Sequence, residues 1–398
     1  MLNLSTDVAP TPRRVLPALV LAQLAGTSPW FAVNAVMPDL QRQYGFSAAA
    51  VGTLTSALQT GFIAGTLVFA LLALADRWSA RRLFLGCALA AAACTLAAAA
   101  SVSSSPSSFT ALLGWRVLTG FFLAGIYPVG MKIAALWFPR GLGAALGWLV
   151  GALVLGSASP HALRALGADW AWPTVFVCVA AAAALGGLLV MAAVPEPPPR
   201  RGPPAVLRLA ALASLWRLPR VRASAGGYFG HMGELYTLWV LLPLVLATRL
   251  ASATAVSAWA FAALGAGVLG CVGGGLMVKR HGGARVAAVQ LATSGLCCLA
   301  APWALVAPLP LFLGWLLLWG ATAAGDSPQF SALTAANAPP EAVGSVLTLT
   351  NSIGFAISAL SIEVFVRLAA AHPLPVVLPW LALGPALGLL ALRPLLRH

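Results

Sequence analysis

The sequence has very few charged residues for its length. Only 8% of its 398 residues are charged, and nine are Asp or Glu. A soluble protein of this size has more surface than so few charges can cover. Hydrophobic residues make up 60% of the chain, and the mean hydropathy is +0.92. These values exclude an ordinary soluble domain and indicate a protein embedded in a lipid bilayer.

Motifs of metal, redox and nucleotide chemistry are also absent from the sequence. The six cysteines lie inside apolar runs without CxxC spacing, which predicts packing thiols. The five histidines form no HxxxH or HExxH pattern, and no phosphate-binding loop is found. The N-terminus lacks the small-residue cleavage site of a signal peptide, so the first apolar run is expected to remain. We therefore expect no cofactor, no metal site and no enzyme activity.

Twelve apolar runs are long enough for a bilayer core, which needs about 20 residues per helix. The runs are predicted near Val15–Met37, Ala49–Ala75, Leu83–Val102, Phe109–Leu136, Leu142–Leu166, Pro173–Val194, Ala223–Ala247, Ala253–Val278, Ala284–Ala301, Leu309–Leu333, Ala342–Leu368 and Pro375–Leu392. Between the sixth and seventh lies a proline- and arginine-rich segment containing PEPPPRRGPP, which breaks helices and stays out of the bilayer. Its LRLAALASLWRL part could form a short amphipathic surface helix.

The predicted fold is an all-α membrane protein with twelve transmembrane helices in two pseudo-symmetric six-helix halves. Residues 1–194 form the N-terminal half, residues 195–222 a cytoplasmic linker, and residues 223–398 the C-terminal half. The halves repeat one another: GIYPVGMKIAALWFPR (Gly125–Arg140) aligns with GDSPQFSALTAANAPP (Gly325–Pro340) at a spacing of 200. Repeated halves are how many secondary transporters build two gates around one midplane site.

The basic residues predict the orientation of the helices, because positive charge concentrates on the cytoplasmic side. With both termini inside, only Arg42, Arg164, Arg249 and Arg367 lie outside. Seventeen of the 23 Lys and Arg residues then lie inside: Arg13, Arg14, Arg77, Arg81, Arg82, Arg140, Arg200, Arg201, Arg208, Arg217, Arg220, Arg222, Lys279, Arg280, Arg285, Arg393 and Arg397. The net charge of +14 thus has a topological meaning, and we expect an inner-membrane monomer without a nucleic-acid partner.

Two motifs resemble those of the major facilitator superfamily. ALADRWSARRLFL, between the second and third spans, is similar to the family pattern G-x-x-x-D-R-x-G-R-R/K, with Asp76, Arg77 and Arg81 at the charged positions. RVLTGFFLAG resembles R-x-x-x-G of the fourth span, with Arg116 and Gly120 in place. The resemblance implies a gating latch between the two halves at the first motif. It implies proton coupling or binding of substrate charge at Arg116.

Charged residues inside the predicted spans are candidate functional residues, because each is costly unless paired or hydrated. Glu234 and His231 share one helical face of the seventh span. One interpretation is that they bond each other or a neighbouring helix and fix packing. The other is that Glu234 faces a central cavity and carries a proton that His231 shares, because burial favours the neutral carboxyl group.

The remaining candidates have similar alternatives. Arg116 could bind a charged group of the solute, or donate hydrogen bonds to backbone carbonyls of another helix. Lys132 could also bind such a group, or extend its side chain to the membrane surface. Asp326, beside a kink expected at Ser327–Pro328, could contact substrate or latch a helix end. Polar points on the cavity wall are expected at Asn34, Tyr228 and Asn351.

The sequence therefore predicts a proton-coupled secondary transporter that works by alternating access. Arg116 and Lys132 favour a small anionic organic solute, with Glu234, His231 and Asp326 carrying protons. The alternative is a proton-driven exporter of amphiphilic drugs or metabolites. A non-transporting sensor or a polytopic membrane enzyme is less well supported. The expected partners are the solute, protons and the lipid bilayer.

Overall fold

The computed structural model describes residues 12–102, 108–138, 142–197, 207 and 211–397. Within these ranges, twelve helices are long and apolar enough to cross a membrane, as predicted. We number the spans in chain order: Val15–Tyr44, Ala50–Leu71, Ala80–Ser101, Ser108–Trp137, Gly143–Leu166, Pro173–Ala193, Pro219–Ala247, Ala253–His281, Gly283–Ala304, Leu309–Asn337, Val343–Ala371 and Leu374–Leu396. Arg140, Arg200, Arg201, Arg208 and most of PEPPPRRGPP lie outside the described residues.

Proline residues interrupt several spans. The first span has a short 3₁₀ segment, Ser28–Phe31, with Pro29 near its start. The fourth span breaks between Leu123 and Tyr127. The tenth span breaks at Asp326, which caps the helix that starts at Ser327. Proline has no backbone N–H to donate to the preceding turn and its ring clashes with that turn, so proline is tolerated in the first turn of a helix that starts anew. The kink predicted at Ser327–Pro328 is therefore present.

Close contacts between spans depend on glycine at matching positions of the two halves. A Cβ atom added to Gly120 of the fourth span would lie 1.9 Å from the backbone oxygen of Leu58 in the second. A Cβ atom added to Gly320 of the tenth span would lie 1.9 Å from the backbone oxygen of Ala263 in the eighth. Backbones can approach this closely only where no side chain intervenes. The two glycines are again 200 residues apart.

The second and eleventh spans are joined by hydrogen bonds inside the apolar interior. Ser56 Oγ donates to the backbone oxygen of Ala359 at 3.1 Å, and Gln59 Nε2 donates to Ser358 Oγ at 3.2 Å. The fifth and eighth spans also pack extensively against each other. These two helix pairs connect residues before the PEPPPRRGPP segment with residues after it.

The predicted short helix before the seventh span is present at Ala211–Arg217. Its Leu215 and the preceding Leu207 belong to a buried apolar cluster with Val346 of the eleventh span. The backbone N–H of Leu207 also donates to the oxygen of Ala70 in the second span at 3.2 Å. This segment therefore lies against the ends of spans from both parts of the chain.

We expect Gly120→Ala to lower the apparent melting temperature of the purified protein in detergent. The added methyl group would overlap the Leu58 backbone and force the second and fourth spans apart, at a cost of roughly 1–3 kcal/mol or more. Gly114→Ala is the matched control, because Gly114 lies in the same helix with no atom within 4 Å of its added Cβ. Equal melting temperatures for the two variants would contradict the close approach.

Candidate transport pathway

A large cavity opens at one end of the helix assembly. Its volume is about 710 Å³, within the range of sites for drug-sized molecules. The wall comprises residues of the first, second, fifth, seventh, eighth and eleventh spans, and includes exposed residues such as Arg42 and Ala253. We call it the outer cavity, because the charge count assigns Arg42 and Arg164 to the outer side. Asn34 lines it, as expected for a polar point on the pathway.

A second, much smaller pocket lies further along the fifth, seventh and eleventh spans, and is also lined by the fourth and tenth. Its volume of about 30 Å³ admits a water molecule or two, but no organic solute. We call it the inner pocket. Its lining residues are Tyr127, Val150, Leu153, Val154, Tyr228, Met232, Leu235, Tyr236, Trp239, Ala324, Ser327, Ser331, Asn351 and Phe355. The predicted residues Tyr228 and Asn351 are among them. No charged side chain occurs among the described residues of this lining.

Six aromatic residues form a contacting cluster where the inner pocket and the outer cavity come close together along the seventh span. Trp30, Phe31, Phe62, Tyr236, Trp239 and Phe355 have ring centroids between 4.6 and 6.1 Å apart in contacting pairs. In the seventh span, Trp239 lines the inner pocket and the next residue, Val240, lines the outer cavity. In the fifth span, Val154 and His161 line the two spaces roughly 10 Å apart along the helix. We call these six residues the aromatic barrier.

Arg116 holds the bent part of the first span instead of lining either space. Its Nη1 donates to the backbone oxygen of Pro29 at 3.0 Å, and its Nη2 donates to that of Trp30 at 2.5 Å. The side chain is 1% exposed. The alternative reading of Arg116, bonds to backbone carbonyls of another helix, therefore matches the geometry. Sequence motifs identify the arginine, but only the bend of the first span reveals its acceptors.

The expected pair of His231 with Glu234 is not formed. His231 Nδ1 lies 2.7 Å from Asp326 Oδ1, across the gap between the seventh span and the break of the tenth. Both side chains are fully buried. The adjacent Ser327 lines the inner pocket, and the His231 ring lies 5.7 Å from the ring of the pocket residue Tyr228. Two of the three predicted proton-carrying residues thus meet beside the inner pocket.

Glu234 lies in a separate polar network and lines neither space, which corrects its expected place in a central cavity. Its Oε1 accepts hydrogen bonds from Trp319 Nε1 at 2.6 Å, from Cys298 Sγ at 3.2 Å and from Ser294 Oγ. These donors belong to the ninth and tenth spans. Tyr236 faces the inner pocket, and Glu234 is about 200° away from it round the helix. The two residues therefore cannot share that pocket.

The gating motif forms bonds within the first half of the chain and to Glu196 at the start of the linker. Lys132 Nζ donates to Asp76 Oδ1 at 2.6 Å and to the backbone oxygen of Ala75. Arg81 Nη2 donates to the oxygen of Met191 at 2.5 Å, while Arg77 is exposed. The latch between the two halves that the resemblance implies stays a prediction, and in this conformation Lys132 of the fourth span is one partner of Asp76. Lys132 accordingly lines neither space.

Apolar packing closes the end of the pathway opposite to the outer cavity. Leu67 and Ala70 of the second span pack against a buried cluster that contains Val221, Val346 and Leu349. The seventh and eleventh spans supply these three residues. The conformation is thus open at the outer cavity and closed at the other end.

Comparison with known proteins identifies the family to which this protein belongs. The model of the Major Facilitator Superfamily matches residues 19–362. The chain therefore belongs to the Major Facilitator Superfamily, whose members move small solutes across membranes. It is an integral, multi-pass membrane protein and a transporter.

The solved structures that it resembles have the same fold at low sequence identity. The human organic anion transporter MFSD10 has a TM-score of 0.72 at 17% identity, covering 96% of this chain and 99% of that one. A variant of the nucleoside transporter NupG has a TM-score of 0.74 at 14% identity, covering 95% and 99%. A bacterial homologue of the human lysosomal transporter Spinster, inward-facing and unoccupied, has a TM-score of 0.71 at 17% identity, covering 96% and 97%.

One relative is more similar in sequence. A chloramphenicol resistance protein of Streptomyces lividans is 32% identical over 209 residues, which is 51% of this chain and 51% of that protein. The match thus spans about half the length of the relative.

We expect Arg116→Leu to lower the apparent stability without a selective effect on anionic ligands. The variant loses two charge-assisted hydrogen bonds of about 1.5–3 kcal/mol each, offset in part by removal of a buried charge. Arg116→Lys, which keeps a charged donor, should recover part of the loss. Thermal melting in detergent gives the stability, and titration with one anionic and one uncharged ligand gives the affinities. A loss of anion affinity alone would instead make Arg116 an anion-binding residue.

Proposed function

We propose that the protein is a proton-coupled secondary transporter of the inner membrane, with both termini in the cytoplasm. The solute would travel between the outer cavity and the inner pocket. The observation that carries this proposal is the aromatic barrier next to a solute-sized cavity and a small pocket that share the fifth, seventh and eleventh spans. Alternating access requires such a route to open to one side at a time.

The division of the chain at the PEPPPRRGPP segment fits this mechanism. The second and eleventh spans, and the fifth and eighth, make the contacts about which two rigid halves could rock. Opening the closed end would separate Leu67 and Ala70 from the apolar cluster around Val346. Closure of this end relies on keeping these apolar side chains away from water.

The proton carrier that we propose is the pair of His231 and Asp326. A carboxylate and an imidazole at 2.7 Å can exchange a proton with little movement. The second polar atom of each side chain, His231 Nε2 and Asp326 Oδ2, has no hydrogen-bond partner among the described residues. Both therefore remain available to water when the inner pocket opens. Glu234 already has three donors and faces other helices, which favours a packing role.

We propose that the solute is an uncharged amphiphile rather than the anion that the sequence favoured. The preference for an anion depended on Arg116 and Lys132, and both donate to oxygen atoms of the protein. A charged solute without a counter-charge would have a high desolvation cost in the inner pocket. The name of the chloramphenicol resistance protein, which matches about half of this chain, also supports a solute of this kind.

We expect Asp326→Asn to abolish solute accumulation driven by a pH gradient in proteoliposomes. The amide keeps the shape of the carboxyl group but cannot release a proton, so counterflow exchange, which needs no net proton movement, should continue. Chloramphenicol is the first solute to measure, with internal pH followed by a trapped dye.

Glu234→Gln is the matched comparison, because it also neutralises a buried carboxyl group of the second half. We expect this variant to retain gradient-driven accumulation. If Glu234→Gln abolishes coupling and Asp326→Asn does not, Glu234 is the proton carrier. If neither does, the coupling assigned to these residues is wrong.

A further inference from the structure

The outer cavity contains two buried polar side chains whose nitrogen atoms lack partners. His161 of the fifth span is 1% exposed, and Asn34 of the first span is 3% exposed. Both line the outer cavity. His161 Nε2 and Asn34 Nδ2 have no hydrogen-bond partner among the described residues. An unpaired buried polar group is costly, so such groups in a cavity wall indicate a ligand or water that completes them.

A hydrogen bond from a neighbouring span determines which atoms of the Asn34 amide remain for a ligand. Its Oδ1 accepts a hydrogen bond from Thr55 Oγ1 at 3.2 Å. The amide group is thus oriented with its oxygen toward the second span, and its Nδ2 donors remain unused. A ligand at this position must therefore present a hydrogen-bond acceptor.

The charged groups nearby are paired with each other, with one carboxylate shared by two guanidinium groups and a net charge of +1. Asp39 is 6% exposed and lies 2.5 Å from Arg42 Nη2 and 3.0 Å from Arg164 Nη2. Arg164 also donates to the backbone oxygens of Gly167, Ala168 and Trp170. The carboxylate of Asp39 is thus engaged, whereas one guanidinium charge is in excess and the side chain of Arg42 is 69% exposed. Much of the wall is apolar, with Val51, Val240, Leu241 and Val256 among its residues.

We propose that the outer cavity holds a solute-binding site on the outer side of the aromatic barrier. In it, Asn34 and His161 bind the acceptor group of an uncharged amphiphile. This proposal rests on the proposed function, because the solute would occupy the site before or after it crosses the aromatic barrier. Its apolar wall contacts the body of the solute, and the aromatic barrier, in which Phe31 packs against Trp239, lies between it and the inner pocket.

Binding to the full-length protein in detergent tests this site without any gradient. The probes are chloramphenicol as the uncharged amphiphile, benzoate as an anion and phenyltrimethylammonium as a cation, each measured by isothermal titration. We expect chloramphenicol to bind at least tenfold more tightly than either charged probe. Asn34→Leu and His161→Phe should each weaken chloramphenicol binding about three- to tenfold, as expected for one lost hydrogen bond.

Two further variants separate ligand contact from a change in folding. His161→Gln retains a polar nitrogen and should recover affinity relative to His161→Phe. Ser157→Ala is the matched control: Ser157 is in the same span, buried, and its Oγ also lacks a partner, but it lines neither space. Its affinity for chloramphenicol should stay within twofold of wild type. Thr55 still has an acceptor in Asn34→Leu, because it also donates to Val51 O at 2.7 Å.

Three results would overturn the site. Unchanged chloramphenicol affinity in both Asn34→Leu and His161→Phe would mean that the two side chains contact only water. Tighter binding of a charged probe would refute the uncharged ligand class, and no binding of any probe to the wild type would refute the site. Proton-driven transport is measured separately in proteoliposomes, so the proposed function can survive each of these results, and the site can survive loss of coupling.

Discussion

The two hydrogen bonds from Arg116 to the first span are the interaction on which the pathway depends. They hold the carbonyl groups of Pro29 and Trp30, at the point where the helix changes to a 3₁₀ segment. The same segment supplies Trp30 and Phe31 to the aromatic barrier. A buried guanidinium group is costly unless acceptors surround it, and the bend provides them. The charge and the bend therefore stabilise each other, and together they fix the wall between the outer cavity and the inner pocket.

The two halves share a backbone plan but use its equivalent positions differently. The fourth and tenth spans break at positions 200 residues apart, with Ile126 before one restart and Asp326 before the other. Arg116 likewise corresponds in spacing to Leu316, which is buried and apolar. The first half thus uses the buried charge of Arg116 to hold a helix bend, whereas the second half places His231 and Asp326 beside the inner pocket. This asymmetry is consistent with one half carrying protons and the other supporting the barrier.

The helices and their orientation signals could be predicted from the sequence, because the thickness of a bilayer dictates the length of apolar runs. The partners of the buried charges could not. Spacing along one helix shows that His231 and Glu234 are near each other, but not which neighbouring span faces each of them. His231 contacts Asp326, and Glu234 accepts a hydrogen bond from Trp319. The same limit applies to Lys132. Its position in the sequence is compatible with a solute ligand, but its contact with Asp76 depends on how separate segments pack.

A pattern in the seventh span could have located the inner pocket. Tyr228, Met232, Leu235, Tyr236 and Trp239 follow the i, i+4, i+7, i+8, i+11 spacing of one helical face, and all five line the pocket. Glu234 lies well over 90° from the middle of that face. The charge of Glu234 therefore marks a different face of the helix from the apolar and aromatic residues that line the pocket. His161 and Tyr127 carried no comparable signal, because a single polar or aromatic residue in a span is compatible with packing alone.

The distribution of charge along the route follows from the same physical constraint. Ionisable groups near the route are paired, as with Asp39 and Arg164, or held beside it, as with His231 and Asp326. An open charge on the wall would bind water tightly and resist closure of the aromatic barrier, since desolvating it costs several kcal/mol. Walls of hydroxyl, amide and aromatic groups can close and reopen at lower cost. A pathway built this way suits a solute that carries no charge of its own, and the proton can be handled by groups that the solute does not touch.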